Sequence, residues 1–280
     1  MLNSHYQPAM DSEEASPSLL VFVHGFLGAA DDWQPLQPYL KNRNQLYVEL
    51  PGHGASKAIR STSFASSCRL IHTTILDCIN IQGLRPDTPV CFVGYSLGAR
   101  LLMYFLTEYT SIQSGLPRLN GQGLIIEGGN FGLQRQKDRE LRLESDRRWA
   151  KRFNSEPIVD VLGDWYRQPV FSSLNHEQRQ LLIAKRSVNL GCALSDMLMA
   201  TSLGHQPYLL PEVSALRFPA GNLPLYISGE HDTKFTKLAQ SSGLNHKVVE
   251  GAGHNVHKEQ PEAYASVLLT YLEQTGGNTR

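Results

Sequence analysis

Long hydrophobic runs are missing from this sequence: the longest uninterrupted apolar stretches are strand-sized, such as Leu19 to Val23, far short of the roughly 18 residues that a membrane span needs. No transmembrane helix is expected. An excess of charge of either sign is missing too, with 26 basic against 26 acidic residues. That balance removes the electrostatic footprint of a nucleic-acid or membrane-surface binder, so any taste for anions must be local. Cysteine is scarce, and Cys68, Cys78, Cys91 and Cys192 stand at irregular spacings. This suits buried thiols in a reducing, cytoplasmic setting better than a disulfide framework. The opening MLNSHYQPAMDSEEASPS has neither a basic leader nor an apolar stretch, and reads as a partly mobile polar tail rather than a signal peptide.

What is present is an ordinary globular composition, 41% hydrophobic and 19% charged, with 23 glycines and 15 prolines marking many turns. A chain of 280 residues sits near the upper size for one core, so one domain plus an insertion is expected. Strand-like runs at Leu19 to Val23, Leu46 to Leu50, Val90 to Val93, Leu124 to Glu127, Leu223 to Ser228 and Lys247 to Glu250 alternate with helical stretches such as Arg69 to Ile81. That alternation predicts an α/β fold, a mostly parallel sheet flanked by helices. It breaks after Glu127 for some ninety residues that include the run QRQKDRELRLESDRRWAKR. The predicted organisation is a core formed by 1–128 and 213–280 with a helical cap insertion at 129–212, whose clearest helices are Gln134 to Arg152 and Glu177 to Val188.

The chemistry centres on "VCFVGYSLGAR", residues 90 to 100. A G-x-S-x-G pattern arises by chance in about one chain in ten of this length, so its context must carry the weight. Val90 to Val93 delivers Ser96 into a tight turn and the apolar helix Leu97 to Leu106 leaves it, the strand–turn–helix arrangement that raises a nucleophile above a sheet. A serine hydroxyl needs a base, and the base needs a third group to hold its ring. Asp232, in "SGEHD", and His254, in "EGAGHN", each follow a strand and complete the Ser, Asp, His order. Glu127, also just past a strand, is the rival acid. His254 and His257 lack the glutamate of a zinc-binding helix and any evident third ligand, so no metal is expected. The turn "HGFLG", His24 to Gly28, lies at the same sheet edge; backbone amides of Phe26 and Leu97 would form an oxyanion hole. "PGHG", Pro51 to Gly54, reads as a structural turn bordering the same pocket.

Arg100 is what ordinary esterase logic does not supply. One helical turn beyond Ser96, it can meet an anion held over the serine. The insertion adds Arg135, Arg139, Arg142, Arg147, Arg148, Arg152 and Arg186; most should form a solvated face with pairs such as Asp138 and Arg142, while a few point into the cleft.

The segments "VHGFLG", "LPGHG", "VGYSLGAR", "EGG", "SDRRW", "DWYRQPVFSSLN", "GEHDTKF" and "GAGHNVH" together resemble the 2-succinyl-6-hydroxy-2,4-cyclohexadiene-1-carboxylate synthases of menaquinone biosynthesis, from about Leu19 nearly to the C-terminus. The triad is common to the whole α/β-hydrolase superfamily, whereas Arg100 and "DWYRQPVF" are narrower signals. The resemblance implies a carbon–oxygen lyase that uses neither cofactor nor metal, acting on a small tri-carboxylate substrate. It further implies Ser96, Asp232 and His254 as the catalytic triad, and Arg100, Arg142, Arg186, Tyr95, Trp165 and Tyr166 as substrate contacts. Two other readings stay open on the residues alone: a serine hydrolase for an ester or carbon–carbon bond, and a non-catalytic binding protein on a hydrolase scaffold. Oligomeric state is not readable.

Overall fold

The structure, a computed structural model, describes residues 1–10, 16–112, 115 and 117–276. Seven strands form one sheet: β1 (Ser4–Gln7), β2 (Ser16–Val23), β3 (Arg43–Val48), β4 (Pro89–Tyr95), β5 (Asn120–Glu127), β6 (Leu225–Gly229) and β7 (Asn245–Val249), in the order β1-β3-β2-β4-β5-β6-β7. Only β1 runs antiparallel, against β3; every other neighbouring pair is parallel. All six expected strands are present within a few residues. The N-terminal tail is a correction, because residues 4–7 form an edge strand; residues 11–15 of it lie outside the described residues. The four-residue strand escaped the sequence reading because SHYQ is too short and polar to alternate visibly.

Side chains in the central strands alternate between two cores, as a pleated sheet covered on both faces requires. Leu19, Val21 and Val23 join Val90, Phe92, Leu124 and Ile126 on one face; Leu20 and Phe22 join Cys91, Val93, Ile125 and Ile227 on the other. The first face is covered by α1 (Phe64–Ile81), capped by Ser63, and α2 (Leu97–Tyr104). The latter continues through a π-helical turn, Phe105–Tyr109, into α3 (Thr110–Ile112). Cys68, Cys78 and Cys91 are buried as expected; Cys192 is exposed, its Sγ 3.4 Å from Arg60 Nη2. No helix among the described residues is long and apolar enough to cross a membrane.

Between β5 and β6 the chain forms α4 (Gln136–Ser155), α5 (Ile158–Trp165), α6 (His176–Arg186), α7 (Gly191–Ala200) and α8 (Leu210–Ala215). The expected long helices correspond to α4 and α6; α5 and α7 went unseen, being only 8 and 10 residues long. Phe153, Val161, Leu162, Leu194 and Leu198 build a separate apolar cluster that also takes in Leu27 from the turn after β2. We propose residues 129–212 as the cap, with its ends seated on the core: Phe131 and Leu209 belong to the sheet's own cluster, and the Leu209 amide donates to the Phe131 carbonyl at 2.7 Å. The C-terminal side is completed by α9 (Thr233–Ser242), α10 (Val256–Glu259) and α11 (Pro261–Gly276).

Candidate active site

Sheet order reverses at β2, which pairs with β3 on one side and β4 on the other; loops leaving the carboxyl ends of such strands diverge and leave a crevice. Val23 of β2 lies opposite Gly94 of β4, and Tyr95 opposite Glu127 of β5. That register sets the turn at Phe26, the serine at 96 and the residues after Glu127 along one sheet edge.

Ser96 has φ 50° and ψ −106°, a conformation unfavourable for an L-residue and held only because its surroundings over-determine it. Its amide donates to the Glu127 carbonyl at 2.7 Å, and its own carbonyl accepts from the Arg100 amide at 3.1 Å. Gly98 is required: a Cβ there would lie 2.1 Å from the Val23 carbonyl oxygen, so only glycine lets α2 start this close to β2.

His254 and Asp232 are both buried, and Nδ1 of the ring donates to Asp232 Oδ2 at 2.6 Å. Asp232 also caps α9, Oδ1 accepting the Phe235 amide at 3.3 Å. The ring lies between Phe235, stacked at 4.8 Å, and Tyr95 at 5.2 Å. Gly128, at φ 57°, passes beneath it, where a Cβ would meet Cε1 at 2.7 Å. The rival acid is committed elsewhere: Glu127 accepts from His257 Nδ1 at 2.8 Å on each oxygen and from the His257 amide at 3.2 Å.

Two buried histidines fashion the turn after β2. His24 Nδ1 donates to the Gly25 carbonyl at 2.8 Å and its Nε2 accepts from the Leu50 amide at 3.0 Å. His53 Nδ1 donates to the Pro51 carbonyl at 2.8 Å and its Nε2 accepts from the Leu27 amide at 3.0 Å. Each ring must therefore be neutral in one tautomer; burial pushes them down to about 4 and about 3. Leu27, at φ 68°, spends its amide on His53, and Gly28 donates to the Gly25 carbonyl. Among the described residues the amides of Phe26 and Leu97 have no protein acceptor. No residue of the "PGHG" turn lines the cavity, contrary to expectation; the turn acts from behind it, since His53 sets the direction of the turn that bears Phe26.

A cavity of about 420 Å³ is lined by Ser96, His254, Phe26 and Leu97 together with Tyr95, Arg100, Arg142, Trp165, Tyr166 and Arg186. The expected site residues meet there, with Asp232 behind His254. Trp165 also packs in the cap, 5.2 Å from Phe26 and 5.0 Å from Trp149, so core packing and cavity lining are one role. Tyr166 is buried, which pushes its phenol up to about 12 against the pull of Arg186.

The cations of this wall differ in their pairing. Arg100 donates Nε to Gln206 Oε1 and Nη2 to the Thr201 carbonyl, both at 2.6 Å, with its guanidinium 5.4 Å from the Phe64 ring centroid. Among the described residues it has no carboxylate partner. Burial, and then nearby Arg142, bring it down to about 9, still protonated at neutral pH. Arg142 pairs at 2.8 Å with Asp146, not with Asp138 as expected; buried Asp146 is held in turn by Ser202 Oγ at 2.7 Å. Arg186 pairs with Asp32, as does Lys258 at 2.6 Å. Most other cap arginines bind the cap's own groups: Arg148 to Glu144, Arg152 to Glu156 and Asp164, and Arg139 to the Leu133 carbonyl. Asp32, Lys234 and Lys258 also line the cavity and were missed. The signals were slight: an acid four residues past "HGFLG", and a lysine four residues past His254.

The chain matches the model of the alpha/beta hydrolase family over residues 20–267. It is 40% identical over 268 residues to the 2-succinyl-6-hydroxy-2,4-cyclohexadiene-1-carboxylate synthase of Yersinia enterocolitica, covering 96% of this chain and 91% of that one. With the enzyme of the same name from Salmonella typhimurium it shares 42% over 272 residues, 97% and 99% of the two chains. The solved structure of MenH from S. aureus superposes with a TM-score of 0.83 at 23% identity, covering 99% of this chain and all of that one. An enol-lactonase from Burkholderia xenovorans LB400 shares the fold at a TM-score of 0.65 and 16% identity, covering 96% of each chain. The fold alone therefore does not choose between hydrolysis and elimination.

Proposed function

We take as premise that this chain belongs to the α/β hydrolase family and, within it, to the 2-succinyl-6-hydroxy-2,4-cyclohexadiene-1-carboxylate synthases, and we propose how its residues carry that reaction. The enzyme is a lyase that eliminates pyruvate from 2-succinyl-5-enolpyruvyl-6-hydroxy-3-cyclohexene-1-carboxylate. In the proposed mechanism Ser96 removes the ring proton beside the succinyl ketone and relays its own proton to His254 Nε2. Asp232, 2.6 Å from Nδ1, fixes the tautomer that makes Nε2 the acceptor. As the proton leaves, the ketone oxygen gains charge between the amides of Phe26 and Leu97, each worth about 3 kcal/mol to such an anion. Electrons shift through the ring, the carbon–oxygen bond breaks and enolpyruvate departs. No acyl-enzyme forms.

The observation that carries this reading is Arg100. Removing a guanidinium from water costs several kcal/mol unless it is compensated, and its present partners are a side-chain amide and a backbone carbonyl, both neutral. A hydrolase of neutral esters gains nothing from such a residue one turn from its serine. A substrate bearing three carboxylates does, at about 1.5–3 kcal/mol per charge-assisted hydrogen bond. Arg142 and Arg186 are the proposed partners of the other carboxylates, with Tyr95, Trp165 and Tyr166 packing on the ring. The direct test follows pyruvate release from the enolpyruvyl substrate beside turnover of simple esters. Fast pyruvate release with slow ester cleavage is expected; the reverse would restore the hydrolase reading.

A further inference from the structure

The anion-binding wall contains a carboxylate of its own. Asp32 is 5% exposed, and it forms part of the cavity lining. Its Oδ1 accepts from Arg186 of the cap and from Lys258 Nζ of the core at 2.6 Å, with Lys185 Nζ 3.6 Å away. Oδ2 accepts the Ala29 amide at 3.1 Å, at the foot of the turn bearing Phe26. Burial pushes this carboxyl up, but Arg186 and then Lys258 outweigh it and hold it far below the usual carboxylate range. Asp32 is thus charged whenever the enzyme is folded and active.

Neither the triad nor the oxyanion hole has a use for this charge, and an acid facing a carboxylate ligand repels it. A counter-ion that only neutralised an arginine would sit behind it, as Asp146 does: it grips Arg142 yet forms no part of the lining. Asp32 instead lines the ligand space between Arg186 and Lys258; Lys185, 3.6 Å away, is matched by Asp31 at 2.8 Å, so the cluster keeps one surplus positive charge.

We propose that Asp32 is a specificity-determining residue, an internal carboxylate that joins Arg186 and Lys258 into a half-neutralised subsite for one substrate carboxylate. Lys258 is then a second cation of that subsite. Full neutralisation would leave nothing to attract the substrate, whereas two unmatched cations would hold a carboxylate product after the carbon–oxygen bond has broken. Affinity for the wrong state is limited by the built-in repulsion. The inference rests on the reading that Arg186 meets a substrate carboxylate.

Asp32→Asn tests it, since the substitution keeps shape and removes charge. Inhibition by succinate and by pyruvate should tighten about tenfold, with KM and kcat both falling as product release slows. Succinate should also raise the melting temperature of the variant more than that of the wild type. A folded Asp32→Asn enzyme that binds succinate no more tightly overturns the proposal. If that variant does not fold, Lys258→Met serves, because it leaves a neutral Arg186–Asp32 pair; KM and the succinate constant should each rise about tenfold, and unchanged constants overturn the proposal. Arg186→Met separates the two levels. An unchanged KM there removes the underlying reading and this inference with it, whereas a raised KM beside unaltered succinate binding in Asp32→Asn removes this inference alone.

Discussion

Two histidines three residues apart in the chain each pair with a carboxylate and do different work. His254 with Asp232 and His257 with Glu127 have the same chemistry, with Nδ1–oxygen distances of 2.6 and 2.8 Å, and both are buried. What separates them is the far side of each ring. His254 opens on the cavity that holds Ser96, whereas His257 Nε2 is sealed and has no partner among the described residues, its ring 4.2 Å from Trp33 and 5.0 Å from Tyr95. A pair becomes part of a triad through access of its distal nitrogen to a nucleophile; a sealed pair is structure. Glu127 nonetheless serves the site from behind, because its carbonyl receives the Ser96 amide and its side chain anchors the segment carrying His254.

The sharpest way to break this contrast is to neutralise each acid. Asp232→Asn should cost about 10³–10⁴-fold in kcat, through the wrong tautomer at His254, with the fold kept. Equal losses in Asp232→Asn and Glu127→Gln, measured as pyruvate release per folded enzyme, would erase the distinction. Glu127→Ala should instead appear as lost stability, about 1–3 kcal/mol in denaturant unfolding for each buried donor left without its acceptor at His257, while kcat per folded molecule stays within about tenfold. Arg100→Ala extends the comparison to the cations: at least a tenfold loss in kcat/KM, about 1.4 kcal/mol, is expected with the fold intact. An unaltered constant would place that guanidinium outside substrate binding.

A pH-dependent contrast concerns His24 and His53, a third kind of buried histidine, kept neutral by backbone partners. Both are held below the ordinary 6.5, at about 4 and about 3. Below pH 6.5 the unfolded chain takes up protons that the folded one refuses, so their contribution to stability is complete above 6.5. It falls as pH drops toward the folded values, by roughly 1 kcal/mol per pH unit for each ring. Unfolding midpoints in denaturant between pH 7 and 5 should decline accordingly, and less steeply in His53→Gln; identical slopes for the variant and the parent would remove His53 from this account.

Much of the architecture was legible because it follows from periodicity. Continuous apolar runs such as Leu19 to Val23 and Val90 to Val93, spaced by helical segments, announce parallel strands buried on both faces, and the glycines around Ser96 announce the turn. Short elements were not: β1 and the helices α5 and α7 hold too few residues to develop a period. In the site, Ser96 and His254 could be proposed because strand ends in this topology converge. Asp32, Lys258 and the working role of His53 could not, because nothing local distinguishes them from other polar residues near turns.

By itself the sequence determined the order of the longer strands and helices, the presence of a Ser–Asp–His set at strand ends, and a supply of arginine beyond what an esterase needs. Only the tertiary structure decided which acid serves which histidine, which arginine lacks a carboxylate, and which one shares its carboxylate with a lysine. The reason is physical. Secondary structure follows from local pattern, whereas pairing between charges depends on inverse distance and on how much water remains between them, and both are set by residues that the chain brings together from far apart, such as Asp32, Arg186 and Lys258.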